Sequence, residues 1–151
     1  MIYLFLKNLK SSFYKVGIAA PVNFKSSIDA CNNIGSGSMT LIKTRAELNE
    51  VVSMFKDSSD DCMSIWTPIS DERKEGKFKN WFTNESVSFL PWKAGAPNGG
   101  KIENNVFLDM IDNTYEDVGK NFKALTVCDV PTETFFTLAG FCEDTFMSKF
   151  G

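Results

Sequence analysis

The sequence contains no histidine, and this absence excludes several kinds of chemistry. Without an imidazole the chain cannot build a Ser–His or Cys–His nucleophile, or a zinc or haem site with histidine ligands. A general base would have to be a carboxylate or a lysine with a shifted pKa. The paired carboxylates are typical of a solvated surface; they are Asp60–Asp61, Asp71–Glu72 and Asp109 with Asp112. The sequence therefore predicts a protein that is not an enzyme.

Basic stripes and long apolar runs are also missing. The formal net charge is −3, the pI is near 5.0, and Lys and Arg are scattered among acids. Because nothing would neutralise a row of phosphates, we expect no nucleic-acid partner. The apolar run at residues 1–6 is far too short to span a bilayer. It predicts a first β-strand, and no membrane insertion by this segment.

The four cysteines lack the C-x-x-C spacing of a Cys₄ zinc site. They are Cys31, Cys62, Cys128 and Cys142. An even number at wide separation favours two disulfides in an oxidising compartment. The alternative is four reduced cysteines buried as small apolar side chains in a cytosolic protein. Four cysteines allow three pairings, and counting does not choose among them.

The secondary-structure signals predict one α+β domain covering residues 1–151. Thr44-Arg45-Ala46-Glu47 is a capping box, and apolar residues at helical spacing follow it as far as Phe55. An earlier helix is expected over residues 28–34, capped by Ser26 or Ser27. Other segments predict short strands: 1–6, 13–18, 63–69, 78–82, 106–111, 122–128 and 135–142. Residues 87–105, rich in Pro and Gly, predict a long functional loop.

A series of short motifs runs through residues 13–143. Ala30-Cys31, Gly35 and Glu47 fall in the two predicted helices, and residues 65–69 with Asp71 and Glu75-Gly76 form an apolar strand and a charged turn. The later motifs, in order, are Trp92-Lys93-Ala94-Gly95-Ala96-Pro97-Asn98, Glu103-Asn104-Asn105-Val106, Tyr115-Glu116-Asp117 and Phe141-Cys142-Glu143. In this order the motifs resemble the C-type-lectin-like family, which implies two helices packed on short antiparallel sheets with a long loop. The Trp-Thr-Pro strand and the residues before Cys142 look most like an invertebrate branch.

The resemblance also implies which cysteines pair. The family's universal bridge joins the first helix to the last strand, which implies a Cys31–Cys142 disulfide. The positions of its second bridge fall near Asn105 and Lys120, so that bridge is absent. Cys62 and Cys128 would then pair with each other.

In family members that bind sugar, the long loop holds calcium through oxygen ligands. The first ligand is a Glu or Gln before the Pro-Asn pair, where this chain has Ala96, which cannot coordinate. The remaining candidates for calcium are Asn98, Glu103, Glu116 and Asp117, and Trp92 joins them as a candidate ligand-binding residue. Pro97 is expected to be cis as in the family, although that turn serves shape as well as function. Trp66 and Trp92 are expected in the core.

The resulting functional hypothesis is an extracellular recognition module, either secreted or part of an ectodomain. It would bind a protein or another non-sugar ligand through the long-loop face and need no cofactor. One alternative is a calcium-dependent lectin with a glycan ligand, and another is a structural block of a larger extracellular protein. Asn84-Glu85-Ser86 is the N-glycosylation sequon, which predicts a glycan at Asn84.

Overall fold

The computed structural model describes residues 3–7, 13–34, 37–56 and 62–131. In these ranges the chain forms two helices, α1 Phe24–Asn32 and α2 Arg45–Ser53. The strands are β1 Tyr3–Lys7, β2 Phe13–Val22, β3 Ser38–Met39, β4 Ser64–Ser70, β5 Lys79–Asn80, β6 Asn105–Asp109, β7 Thr114–Val118 and β8 Ala124–Pro131. The predicted α+β class is confirmed. No helix within the described ranges is long and apolar enough to cross a bilayer.

The strands follow the order β1-β2-β8-β4-β6-β7, with β3 beside β8 and β5 beside β4. Neighbouring strands pair antiparallel except β4 and β8, which meet in parallel at Ile65 and Leu125. The sheet is therefore mixed, whereas the resemblance implied antiparallel sheets. β4 and β8 pair at this position alone, and the strands on either side of it form two groups, which are called layers below. The terminal layer holds β1, β2, β3 and β8; the loop layer holds β4, β5, β6 and β7.

Each helix covers one part of the core. Helix α2 buries Leu48 and Val51 against residues of the loop layer such as Ile69 and Leu108. Helix α1 lies on the terminal layer, where the Ser27 and Thr126 hydroxyls form a buried 2.9 Å hydrogen bond. Trp66 is buried among apolar side chains near α1, as expected.

The helix starts follow local hydrogen-bond chemistry. The predicted cap of α2 is confirmed, because Thr44 Oγ1 accepts a 3.1 Å hydrogen bond from the Glu47 N–H. Glu47 Oε2 in turn accepts from the Lys43 N–H at 2.9 Å, one residue before the usual position. The predicted cap of α1 at Ser26 or Ser27 is wrong. Asn23 Oδ1 accepts from the Ser26 N–H at 2.9 Å, so this helix begins earlier.

The disulfide joins Cys31 of α1 to Cys128 of β8, with a Cα–Cα distance of 5.4 Å. Both predicted pairings, Cys31–Cys142 and Cys62–Cys128, are therefore wrong. Cys62 lies three residues before Ile65, and Cys128 lies three residues after its parallel partner Leu125. At about 3.3 Å per residue the two cysteines are roughly 20 Å apart along the strands, too far for a disulfide.

The cysteine of α1 forms its disulfide with β8, a strand that lies earlier in the sequence than the one implied by the resemblance. Val127-Cys128-Asp129 occupies the place assigned to Phe141-Cys142-Glu143. β8 pairs with β2 from Phe13 to Val22, which fixes it in the terminal layer. The predicted strand at 135–142 lies outside the described residues, and the domain boundaries stay a prediction.

Candidate functional site

The long loop is anchored to β7 at its middle. The Lys93 N–H donates to the Tyr115 carbonyl at 2.9 Å, and the Tyr115 N–H donates to the Pro91 carbonyl at 2.8 Å. Trp92, partly buried as expected, packs edge-on against Phe78 with ring centroids 4.9 Å apart. The peptide bond before Pro97 is cis, as expected. This anchoring places the residues that follow Pro97 over β7.

Asp117 fastens the tip of the loop. Its carboxylate accepts hydrogen bonds from the Asn98 N–H, 3.0 Å to each oxygen, and from the Gly99 N–H at 2.7 Å. Asp117 is only 7% exposed, so these charge-assisted bonds are shielded from water. The Asp117 carboxylate thus holds the turn after the cis-proline through two backbone amides.

Glu116 takes no part in that arrangement, because neighbouring residues of a strand face opposite sides of the sheet. Its carboxylate lies 3.8 Å from Lys93 Nζ. The same ammonium group is 3.5 Å from both Asp109 and Asp112. Attraction to Glu116, and to a smaller extent to Asp112, raises the pKa of Lys93. Lys93 is therefore the counter-ion of three carboxylates.

The other two candidate ligands lie at the tip of the loop. Asn98 is exposed, and Glu103 lies directly on Gly99, where an added Cβ would collide with the Glu103 side chain. Calcium binding needs six to eight converging oxygens. Strand alternation directs Glu116 away from Asp117, the Ala96 side chain has no oxygen, and no cluster of three acidic or cysteine ligands occurs within the described residues. The residues present do not fit the calcium site that the resemblance implied.

Asp71 departs from the expectation of a solvated turn, since it is 2% exposed. Its Oδ2 accepts from the Gly76 N–H at 2.9 Å, which closes the turn after β4. Its Oδ1 and the Oδ1 of Asn104 are both buried without a hydrogen-bond partner. Burial is the main cause that raises the pKa of Asp71, and the nearby Asp117 charge adds to it. Glu75, in the same turn, is exposed as expected.

The comparisons with known proteins agree with this geometry. The chain is 32% identical to human lithostathine-1-beta over 68 residues, which is 45% of this chain and 40% of that protein. It is 32% identical to bovine C-type lectin domain family 3 member A over 82 residues, 54% of this chain and 41% of that protein. The matches thus span about two fifths of these relatives. No protein-family model matches the chain.

Solved structures cover more of the chain. Human lithostathine superimposes with a TM-score of 0.71 and 25% identity over 82% of this chain and 87% of that one. The C-type lectin CEL-I from Cucumaria echinata gives a TM-score of 0.73 at 14% identity, over 83% and 93% of the two chains. The herring type II antifreeze protein gives 0.71 at 15% identity, over 84% and 95%. This chain has the fold of a C-type-lectin-like domain.

The disulfide and the similarity to these relatives indicate that the lectin-like domain is extracellular, either secreted or part of an ectodomain. Asn105 and Lys120, the positions that the resemblance implied for the absent second bridge, both line one cavity, and their assignment to that bridge stays a prediction. Asn84 is exposed with φ 60°, and its glycan stays a prediction. Sequence reasoning missed Lys93 as a counter-ion and Asp71 as a buried acid. The Asp71–Gly76 spacing was an available signal for the turn, whereas the acids that meet Lys93 lie 16 to 23 residues away from it in the sequence.

Replacing Asp71 by Asn is expected to stabilise the lectin-like domain at neutral pH. The folded state raises the pKa of Asp71, so it binds the proton more tightly than the unfolded chain. The stability that this group contributes is complete below the unfolded pKa, about 3.9, and is lost as pH rises through the folded pKa. Asn cannot ionise and still accepts from Gly76. Thermal unfolding in chelator should give a Tm a few degrees higher at pH 7, shrinking towards pH 4. Exposed Glu75→Gln is the control, and an equal gain at both pH values would contradict this explanation.

Proposed function

We propose that this lectin-like domain is a recognition module that binds a protein or another non-sugar ligand through its long-loop face. Binding needs no calcium, and the domain catalyses no reaction. The observation that carries the proposal is the Asp117 carboxylate, which accepts from the Asn98 and Gly99 amides. In a calcium lectin this carboxylate would have to face the ion, whereas here it orders the loop by itself.

A cation would have to compete with interactions that are already made. Drawing Asp117 towards an ion removes the acceptor from two backbone amides, and a hydrogen bond to a charged group contributes about 1.5–3 kcal/mol. Glu116 would have to leave Lys93. The Ala96 side chain supplies no oxygen in return. These costs support a loop that keeps its shape in the absence of metal.

The face that this shape presents has an apolar centre and a polar surround. Ile102 is 81% exposed on the short 3₁₀ helix Gly100–Ile102, and exposed Asn98 and Lys101 flank it. An apolar anchor with polar neighbours is the common arrangement of protein–protein contacts. The herring neighbour, whose name denotes antifreeze activity, supports a use of the fold beyond sugar binding.

A calcium-dependent lectin is the second candidate, and one observation favours it. Asp71 Oδ1 and Asn104 Oδ1 are buried oxygens without donors, and buried polar groups of this kind need a partner. A cation beside them would relieve both oxygens. This candidate predicts that calcium binding disappears when Asp71 is replaced by Asn.

Thermal unfolding in millimolar calcium, compared with the same protein in chelator, tests both functions. A ligand at a hundred times its dissociation constant that binds only the folded state adds about 2.7 kcal/mol, several degrees in Tm for this size. We expect no shift, and no retention on mannose or galactose resin with or without calcium. A rise in Tm that Asp71→Asn abolishes and Glu75→Gln retains would overturn the calcium-independent proposal in favour of the second candidate.

A further inference from the structure

The cavity that Asn105 lines opens between the start of α1 and the beginning of β6, with a volume of about 450 Å³. Three partly or fully buried side chains give it an apolar wall: Phe24, Ile28 and Trp81. Concave sites of this volume with aromatic and aliphatic walls are typical of small-molecule binding.

The aromatic part of the wall is ordered by contacts within the protein. The Phe24 ring meets the rings of Trp66 and Trp81 edge-on, with centroids 5.4 and 5.9 Å apart. The Arg73 guanidinium lies 4.6 Å from the centroid of the Trp81 ring and donates to the Trp81 carbonyl at 2.9 Å. Because these side chains are already held in place, a ligand that packs on them loses little affinity to their ordering.

A buried hydrogen-bond donor accompanies this wall. Asn105 is 3% exposed, and its Nδ2 has no hydrogen-bond partner among the described residues. Strand alternation places Asn105 on the same face of β6 as Phe107, which shares a buried apolar cluster with Phe24. A buried donor without an acceptor is costly. An acceptor oxygen bound in the cavity relieves this cost.

This donor lies on the opposite side of the sheet from the loop tip. Asn105 pairs with Val118 across β6 and β7, and Val118 packs against the cluster that contains Phe24. Asp117, as the neighbour of Val118 in β7, faces the other way and binds the loop amides. The cavity is therefore a second site, and its use does not depend on the function proposed for the long-loop face.

The charged side chains around the cavity do not favour an ion of either sign. Lys25, Glu72 and Lys120 line it, and all three are exposed. Lys25 Nζ is 3.4 Å from Asp29 Oδ2, so its charge is already paired. Lys120 and Glu72 carry opposite charges. Because a buried charge without a counter-ion is costly, an uncharged oxygen suits the Asn105 donor best.

We propose that this cavity binds a small aromatic molecule that carries one uncharged acceptor oxygen, such as an aryl ketone. The ring of the ligand packs on Ile28 and Trp81, and its oxygen accepts a hydrogen bond from Asn105 Nδ2. The aromatic wall supplies affinity, and the buried amide selects for the oxygen.

NMR titration of the full chain with matched probes tests the site. Acetophenone is the aryl ketone, ethylbenzene has the same ring without the oxygen, and benzoate carries a charged oxygen. We expect saturable shifts of the Asn105 side-chain NH₂ and the Trp81 indole N–H with acetophenone, and about tenfold weaker binding of ethylbenzene. No saturable shift with acetophenone up to its solubility would overturn the site. Equal affinity for ethylbenzene, or tighter binding of benzoate, would overturn the proposed ligand class.

Asn105→Leu removes the donor at similar side-chain volume. It should weaken acetophenone binding about tenfold and leave ethylbenzene binding unchanged, which also shows that the variant is folded. Asn49→Leu, the same change at an exposed position of α2, is the control and should leave both affinities as in the parent protein. Unchanged acetophenone affinity in Asn105→Leu would rule out Asn105 as the donor. If that variant does not fold, the comparison of acetophenone with ethylbenzene on the parent protein decides the question.

Discussion

Replacing both Cys31 and Cys128 by alanine is expected to lower the free energy of unfolding by about 4–5 kcal/mol. The bond closes a loop with a sequence separation of 97, and the chain-entropy model assigns about 4.7 kcal/mol to a loop of about 100 residues. Both cysteines are fully buried, so the alanines also leave a small void beneath α1. Urea unfolding of the variant and the parent protein measures the difference.

Ser27→Ala is the matched control for this variant. Ser27 lies on the same helix and contacts the same strand through the 2.9 Å hydrogen bond to Thr126, without a covalent link. Its loss should be about 1 kcal/mol. If the cysteine double variant lost no more free energy of unfolding than Ser27→Ala, the disulfide between α1 and β8 would not be the main stabilising contact of this layer.

Replacing Asp117 by alanine is expected to cost about 2–4 kcal/mol and to loosen the loop tip. The Asn98 and Gly99 amides lose their shared acceptor, and a hydrogen bond to a charged group contributes about 1.5–3 kcal/mol. Amide hydrogen exchange at these two residues should rise together. Chemical denaturation measures the overall loss, and NMR exchange measures the local one.

Glu116→Ala, one residue earlier in the same strand, separates this effect from a general loss of charge. It breaks a 3.8 Å ion pair at the surface, worth under about 1 kcal/mol. Exchange at Asn98 and Gly99 should stay as in the parent protein. Equal losses for Asp117→Ala and Glu116→Ala would mean that the loop is not held by the Asp117 carboxylate.

The fold could be predicted because its signals are local and come in order. The capping box at Thr44 specified α2, and the Trp-Pro-Asn and Tyr-Glu-Asp motifs located the long loop and β7. The last strand was misplaced because Val127-Cys128-Asp129 and Phe141-Cys142-Glu143 carry the same apolar–Cys–acid pattern. Only the pairing of β8 with β2 distinguishes them, and that contact is distant in sequence.

The candidate site was less predictable because its contacts involve backbone atoms and opposite strand faces. The sequence motif correctly indicated that Asp117 lies near the loop. Its partners are backbone amides, which the sequence does not distinguish because nearly every residue has one. Glu116 and Asp117 were grouped as ligands, although strand alternation directs them to opposite sides. The burial of Asp71 depends on Asn104, whose carbonyl accepts from the Asp71 N–H at 3.0 Å.

The meeting of the two layers at the single pair Ile65 and Leu125 affects how such a sequence can diversify. The terminal layer carries the disulfide, while the loop layer carries the long loop and Asp117, which holds its tip. Substitutions and insertions in the loop are transmitted to the terminal layer mainly through packed side chains, since few shared backbone bonds connect the two. Selection can therefore change the half that carries the loop while the half that carries the disulfide keeps the same register.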